Sequence, residues 1–369
     1  MKKWWACLLG FSVAHACTYD YTIWMLRSRD ADPYFRFVQK DKAGYIDRSG
    51  NVVIPAVLNA SGNFGDEFRG GWRKVRDGIV DAGGRRREFR GVEMFYDFSE
   101  GLAVAQPEGP AGYHEKYGYI DTAGKMVVEP RFDWASEFSE GMARVTIGGK
   151  TGYIDRTGKL VIAAQFSDGT DFHEGRAAAI LENCKRAGAL CGGDHYAPEG
   201  NPEGRCQYAV IDRTGRPVSD ARYDKVLEFS EGLAPVMSGG AMGYIDTTGR
   251  LAISAQFESA FPFSDGLALV KRGERWGYIS HSGEFAIPAR FAEAMDFSEG
   301  LAAVRVDPDS WSYIRKDGTP AFAGRFALAS EFRHGLAHVM IERKKERREA
   351  KFAYVDSRGR TVFEYRGEN

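Results

Sequence analysis

The sequence predicts an all-β protein, a row of about nine tandem units with a base period of 34 residues, each built of short antiparallel strands. Three observations point there. A box of the form Gly-Tyr-Ile-Asp recurs, its first position falling at Gly44, Gly78, Gly118, Gly152, Ala209, Gly243, Gly277, Ser312 and Ala353. A second box, Phe-Ser-Glu-Gly or a variant of it, begins at Phe68, Phe98, Phe138, Phe172, Phe229, Phe263, Phe297 and Phe332. Aromatic residues make up 13% of the chain, and they fill the apolar runs together with β-branched ones, which favours strands.

The spacing separates what is fixed from what is free. Successive Gly-Tyr-Ile-Asp boxes lie 34, 40, 34, 57, 34, 34, 35 and 41 residues apart. From the second copy to the eighth, the Phe-Ser-Glu-Gly box follows by 20 residues every time, whereas the gap to the next Gly-Tyr-Ile-Asp box runs from 10 to 37. An extra residue inside a packed strand would turn every later side chain to the wrong face. Extra length in a surface loop costs little. Variation is therefore confined to one loop per unit.

Each unit is drawn in order. A strand of the form Gly-Leu-Ala-x-Val comes first, as in Leu301-Ala302-Ala303-Val304. The variable loop follows, then the Gly-Tyr-Ile-Asp strand. Asp155-Arg156-Thr157-Gly158-Lys159 typifies the next turn: the Asp accepts from the backbone two residues on and the Gly takes positive φ. A third strand such as Leu160–Ala164 completes a meander. Phe132-x-x-Ala135-x-x-Phe138 and its copies, spaced by three, predict a 3₁₀-like turn with an inward aromatic edge. Ser-Glu-Gly then turns the chain back.

Residues 274–304, "ERWGYISHSGEFAIPARFAEAMDFSEGLAAV", resemble the bacterial WG repeat, whose Trp-Gly pair is present as Trp276-Gly277. Most copies replace that Trp: Tyr117, Thr151 and Met242 precede the corresponding glycines. The resemblance covers about residues 34–369. It implies a propeller-like β array used for interaction, with no shared catalysis. One unit cannot bury its apolar face alone, so neighbours stack. The alternative architecture is an open, curved β-solenoid. The last unit, ending "TVFEYRGEN", either pairs with the first strand near Tyr34–Val38 or serves as a cap.

Fifty Lys and Arg face 51 Asp and Glu, a formal charge of −1, so no basic field recruits nucleic acid. At the N-terminus, Lys2 and Lys3 precede a ten-residue apolar run, Trp4–Val13, and Ala14-His15-Ala16 has the small-x-small form of a cleavage site. Residues 1–16 are expected to be a secretory signal peptide and 17–33 a linker or cap. The run is too short to span a bilayer, and no other segment approaches that length. Cys17 would become the first mature residue and is the candidate for a lipid anchor, although Ala14 stands where a lipoprotein signal prefers Leu. The expected location is periplasmic, outer-membrane-anchored or extracellular.

The repeated carboxylates, Asp47, Asp121, Asp155, Asp212, Asp246 and Asp356 at the hairpin and Glu100, Glu140, Glu174, Glu231 and Glu299 in the Phe-Ser-Glu-Gly turn, are expected to satisfy turn amides rather than to form a catalytic pair. Tyr45, Tyr119, Tyr153, Tyr244, Tyr278 and Tyr313 either form a sugar-stacking stripe or pack between units with each hydroxyl bonded; the second is favoured. The longest insertion, residues 183–206, holds Cys184, Cys191 and Cys206. In an exported protein Cys184–Cys206 is the first disulfide candidate and Cys191–Cys206 the second. Cys184, Cys191, His195 and Cys206 form the alternative metal set, without close C-x-x-C spacing. Asp194, His195, Tyr196 and Glu199 are the loop's binding candidates. Two further segments are charged, residues 83–91 and 341–351; solvated hairpins are favoured over a basic patch for anions. His114, His173, His281, His334 and His338 receive no role. No phosphate-binding glycine loop, metalloprotease motif or nucleophile elbow is present, and no cofactor is expected. The function expected is a non-enzymatic scaffold binding a protein or glycan partner through loops on one rim. A glycan hydrolase or lyase is the alternative, with Asp194, His195 and Glu199 as its nearest candidate cluster.

Overall fold

The structure, a computed structural model, describes residues 34–59, 68–69, 71–75, 78–81, 83–109, 116–181, 207–344 and 349–368. Every regular element among them is a β-strand, and no helix is long and apolar enough to cross a membrane. The strands form nine small antiparallel sheets, numbered here blades 1 to 9 in chain order.

Blade 4 shows the full pattern. Its four strands are Trp134–Ala135, Met142–Ile147, Lys150–Asp155 and Leu160–Phe166, hydrogen-bonded in chain order. The second and third strands are buried on both sides, from Met142 to Val145 and from Thr151 to Ile154, because a neighbouring blade covers each face. The fourth strand alternates: Ile162 and Phe166 turn inward and are buried, while Leu160 and Val161 meet solvent.

The predicted 3₁₀-like turn is not formed. Trp134 and Ala135 instead pair with Thr146 and Val145 as a short first strand. Asp133 N–H donates to Thr146 O and Ser136 N–H to Arg144 O, both at 2.9 Å. These amides lie beside an unpaired strand edge, so pairing across the sheet satisfies more of them than a turn would. The unit therefore has four strands rather than three, and the Phe-x-x-Ala-x-x-Phe segment opens the next blade. In blades 5 and 8 the fourth strand is reduced to isolated bridges at Pro217, Tyr223, Pro320 and Phe326. Proline removes a ladder donor at the point where that strand would begin.

The third strand bulges against the fourth at the Gly-Tyr-Ile-Asp box, with register shifts on both sides of Tyr153. The glycine is required there: a Cβ on Gly152 would lie 2.7 Å from Ala164 N, and one on Gly277 2.6 Å from Ala289 N.

An apolar cluster joins each blade to the next, Leu102, Val104 and Tyr119 of blade 3 meeting Phe138, Ala143 and Val145 of blade 4, for instance. A further cluster joins Phe35, Phe37 and Ile46 of blade 1 to Leu336, Tyr354 and Tyr365 of blade 9. Across the same seam Tyr354 OH donates to Arg36 O at 2.6 Å, and Arg48 Nε to His334 O at 2.5 Å. The array is thus a closed β-propeller, not an open solenoid. Closure does not use the strand pairing foreseen for Tyr34–Val38. Phe35–Gln39 pairs within blade 1 and Thr361–Glu368 within blade 9, and the two sheets pack side by side.

Candidate functional site

An antiparallel meander sends alternate connections to opposite edges. The first-to-second and third-to-fourth strand turns share one face of the ring, here the tight face. The second-to-third connections and the links between blades share the other, the variable face.

On the tight face every repeated carboxylate has work within the fold. Asp155 Oδ1 accepts from Thr157 N–H at 2.9 Å, Lys159 N–H at 3.1 Å and Thr157 Oγ1 at 2.6 Å. The Thr157 hydroxyl foremost, then the backbone donors, hold its carboxyl below the usual carboxylate range. Asp47, Asp121, Asp212, Asp246 and Asp356 accept from the amides two and four residues on in the same way. Gly158 closes its turn at φ 84°, as predicted.

The Ser-Glu-Gly turns are two-residue hairpins in which Glu and Gly both take positive φ: Glu140 and Gly141 at 53° and 76°, Glu174 and Gly175 at 52° and 72°. Positive φ is costly for Glu. Its carboxylate offsets this by reaching the turn of the following blade. Glu140 accepts from Glu174 N–H at 2.5 Å and Gly175 N–H at 2.9 Å, and Glu174 from Glu231 N–H at 2.7 Å and Gly232 N–H at 2.8 Å. Serine hydroxyls run beside this ladder, Ser99 Oγ to Phe138 O and Ser139 Oγ to Phe172 O, both at 2.7 Å. The expectation that these glutamates serve turn amides holds, and the amides belong to the neighbouring blade.

The repeated tyrosines form no stripe for sugars. Tyr45, Tyr119, Tyr153, Tyr244, Tyr278 and Tyr313 are fully buried. Each of the last five donates its hydroxyl to a carbonyl 17 residues on, at 2.7 to 2.8 Å, Tyr153 to Thr170 O being one. Its ring meets the Phe of the next blade, as Tyr153 does Phe172 at 4.9 Å between centroids. Burial pushes the Tyr119, Tyr153 and Tyr313 hydroxyls far above their usual pKa.

One slot carries chemistry that the repeat pattern hid. The x of Gly-Leu-Ala-x-Val faces the next blade and is apolar in Val104, Leu269 and Ala303, but it is Lys74 in blade 2, Arg144 in blade 4 and His338 in blade 9. Arg144 is 4% exposed, 3.4 Å from both Asp168 and Asp171 of blade 5, and its guanidinium lies 4.5 Å from the Trp134 ring. Lys74 Nζ stands 5.0 Å from the Phe95 ring, and burial lowers its pKa. His338 Nε2 lies 2.9 Å from Tyr365 OH, its ring stacked on Phe352. The signal available in sequence was a polar residue breaking an apolar repeat position.

On the variable face, the links between blades cap the short loops: Asp133 Oδ2 accepts from Gly148 N–H at 2.6 Å and Glu258 Oε1 from Gly273 N–H at 2.7 Å. In blade 9 the second and third strands extend to Leu336–Lys344 and Glu349–Asp356, nine and eight residues against six and six in blade 4. Cys17, Cys184, Cys191, Asp194, His195, Tyr196, Glu199 and Cys206 lie outside the described residues, as do residues 1–16. Among the described residues no group of three or more His, Cys, Asp or Glu is placed to hold a metal ion.

A family model described as "WG containing repeat" matches residues 44–68, 117–150, 152–183, 208–240, 242–276 and 276–307. The chain belongs to the WG-repeat family. Among solved structures, this WG-repeat ring is similar to a crystal structure of the eukaryotic initiation factor, at 10% identity and a TM-score of 0.59, covering 91% of this chain and 96% of that one. At that identity the likeness shows the fold alone. BamB from Moraxella catarrhalis matches at 13% identity and a TM-score of 0.38, covering 89% and 97% of the two chains. A quinonprotein alcohol dehydrogenase-like protein from Bacteroides thetaiotaomicron VPI-5482 matches at 9% and 0.35, covering 91% and 76%. No curated protein matches the chain.

Proposed function

We propose that this WG-repeat propeller is a non-enzymatic binding scaffold, exported to the bacterial envelope or exterior, that engages a protein or glycan partner through the loops of its variable face. One observation carries the reading: insertions concentrate in the second-to-third strand connections, which topology gathers on one edge of the ring. The repeated Asp, Glu and Tyr side chains are committed to turns and blade contacts, so selectivity falls to these loops. Residues 105–116, 183–206 and 341–351 supply them. The blade 9 hairpin, three residues longer in its second strand than blade 4, projects about 10 Å further at the rise of a β-strand.

Affinity capture from envelope extract with residues 17–369 identifies the partner. Replacing residues 185–205 by a short Gly linker is expected to leave unfolding cooperative and to weaken binding of that partner at least tenfold. Unchanged binding removes the loop from the surface. Turnover of envelope polysaccharides by the purified chain would contradict a non-enzymatic role.

A further inference from the structure

Around the tight face, the turn of nearly every blade cradles a carboxylate from the blade before it. Gly141 N–H donates to both Glu100 oxygens at 3.1 Å, Gly266 N–H to both Glu231 oxygens at 3.2 and 3.1 Å, Gly300 N–H to Asp265, and Gly335 N–H to Glu299 at 2.7 Å. Together with the two turns already described, six successive turns, in blades 4 to 9, are occupied.

Blade 3 has the same turn, with no carboxylate seated in it among the described residues. Glu100 and Gly101 take φ 51° and 78°, the backbone of the occupied turns. In the preceding unit, "FRGG", the place of the ladder glutamate is taken by Gly70, which has no side chain to send. Neither the Glu100 N–H nor the Gly101 N–H makes a hydrogen bond among the described residues. Gly101 is exposed, and the space beside it is open: a Cβ there would meet only Arg156 Nη2, at 3.8 Å. That guanidinium is held in place by donating to Glu100 O at 2.5 Å.

We propose that the Glu100–Gly101 turn is a carboxylate-binding site, filled from outside by the group that the neighbouring blade supplies everywhere else along the ladder. Two adjacent amides in this conformation form an anion-binding concavity. The two oxygens of a carboxylate match two N–H donors, as Glu140 matches Glu174 and Gly175. The ligand is a free organic acid or the carboxylate of a peptide. This site is on the opposite face from the proposed partner rim and stands independently of it.

The test is a titration of the full chain, labelled with 15N-glycine, with sodium acetate at constant ionic strength made up with sodium chloride. The Gly101 amide is expected to shift and saturate, while the Gly141, Gly175 and Gly232 amides, already bonded to carboxylates, stay still. Gly70→Glu, which restores the missing carboxylate, is expected to abolish the response. A peptide with a free C-terminus, compared with its amidated form, separates the sources: saturation at tenfold lower concentration only with the free form assigns a peptide carboxylate, and no gain over acetate assigns a free acid. A Gly101 amide that does not saturate, or that moves together with the other glycines, overturns the site. A response to inorganic phosphate and not to acetate overturns the carboxylate assignment.

Discussion

His338 occupies the seam that closes the ring, with Phe352, Tyr354 and Tyr365 of its own blade around the imidazole and Arg36 of blade 1 nearby. Burial first, then the Arg36 charge, pushes its pKa from 6.5 down to about 4. The unfolded chain therefore binds this proton before the folded one does. The stability tied to neutral His338 is complete above about 6.5 and is lost as pH falls toward 4, by about 3 kcal/mol in all. Urea unfolding at pH 7, 5.5 and 4.5 is expected to show a steeper loss for the wild type than for His338→Gln; identical slopes would contradict the assignment. Sequence marked this position only as a polar residue in an apolar repeat slot and not its role, because its aromatic neighbours lie up to 27 residues away and that role depends on a ring closing. Asp155 was legible for the opposite reason, its acceptor geometry being local to four residues. The tyrosines were half legible: their pattern fixed that they repeat, and only the neighbouring blade decides that they are buried.

At the scale of the element, the third strand depends on a glycine where it bulges past the fourth. Gly152→Ala drives a Cβ to 2.7 Å from the Ala164 backbone, which cannot move without shifting the strand. The expected cost is roughly 2–4 kcal/mol in chemical denaturation. Gly175→Ala, at φ 72° but with nothing within 4 Å, is expected to cost about 1–2 kcal/mol. Equal effects would show that the bulge is not what holds Gly152. Box spacing made the strands and hairpins of each unit legible. It misassigned the Phe-x-x-Ala-x-x-Phe segment, because a spacing of three reads as one tight turn, whereas Phe132 ends one strand, Ala135 lies in the next and Phe138 follows it, so the period belongs to no single element. Its partner strand decides, and that strand comes after the second turn. The glutamate ladder was legible as a set of turn residues but not as a link between units, since each acceptor lies in one repeat and its donors in the next.

For the whole molecule, equal modules sheltering each other's apolar faces leave two raw faces at the ends, and the seam between blades 1 and 9 covers both. Sequence supplied the number of units but not closure, because the residues that meet there, Phe37 with Phe363 and Tyr365, belong to no repeated box. The candidate partner loop was visible only as an insertion, for which periodicity has no template. Closure is the central claim, and a distance between the ends tests it most directly. Spin labels placed at Asn51 and Thr361, in a background with the native cysteines replaced by serine, measure it by double electron–electron resonance. A closed ring predicts a narrow distribution of about 25 Å or less, allowing for label linkers across sheets roughly 10 Å apart. A distribution near 80 Å, the span of nine sheets stacked at that same spacing of about 10 Å, would show an open array and contradict the account.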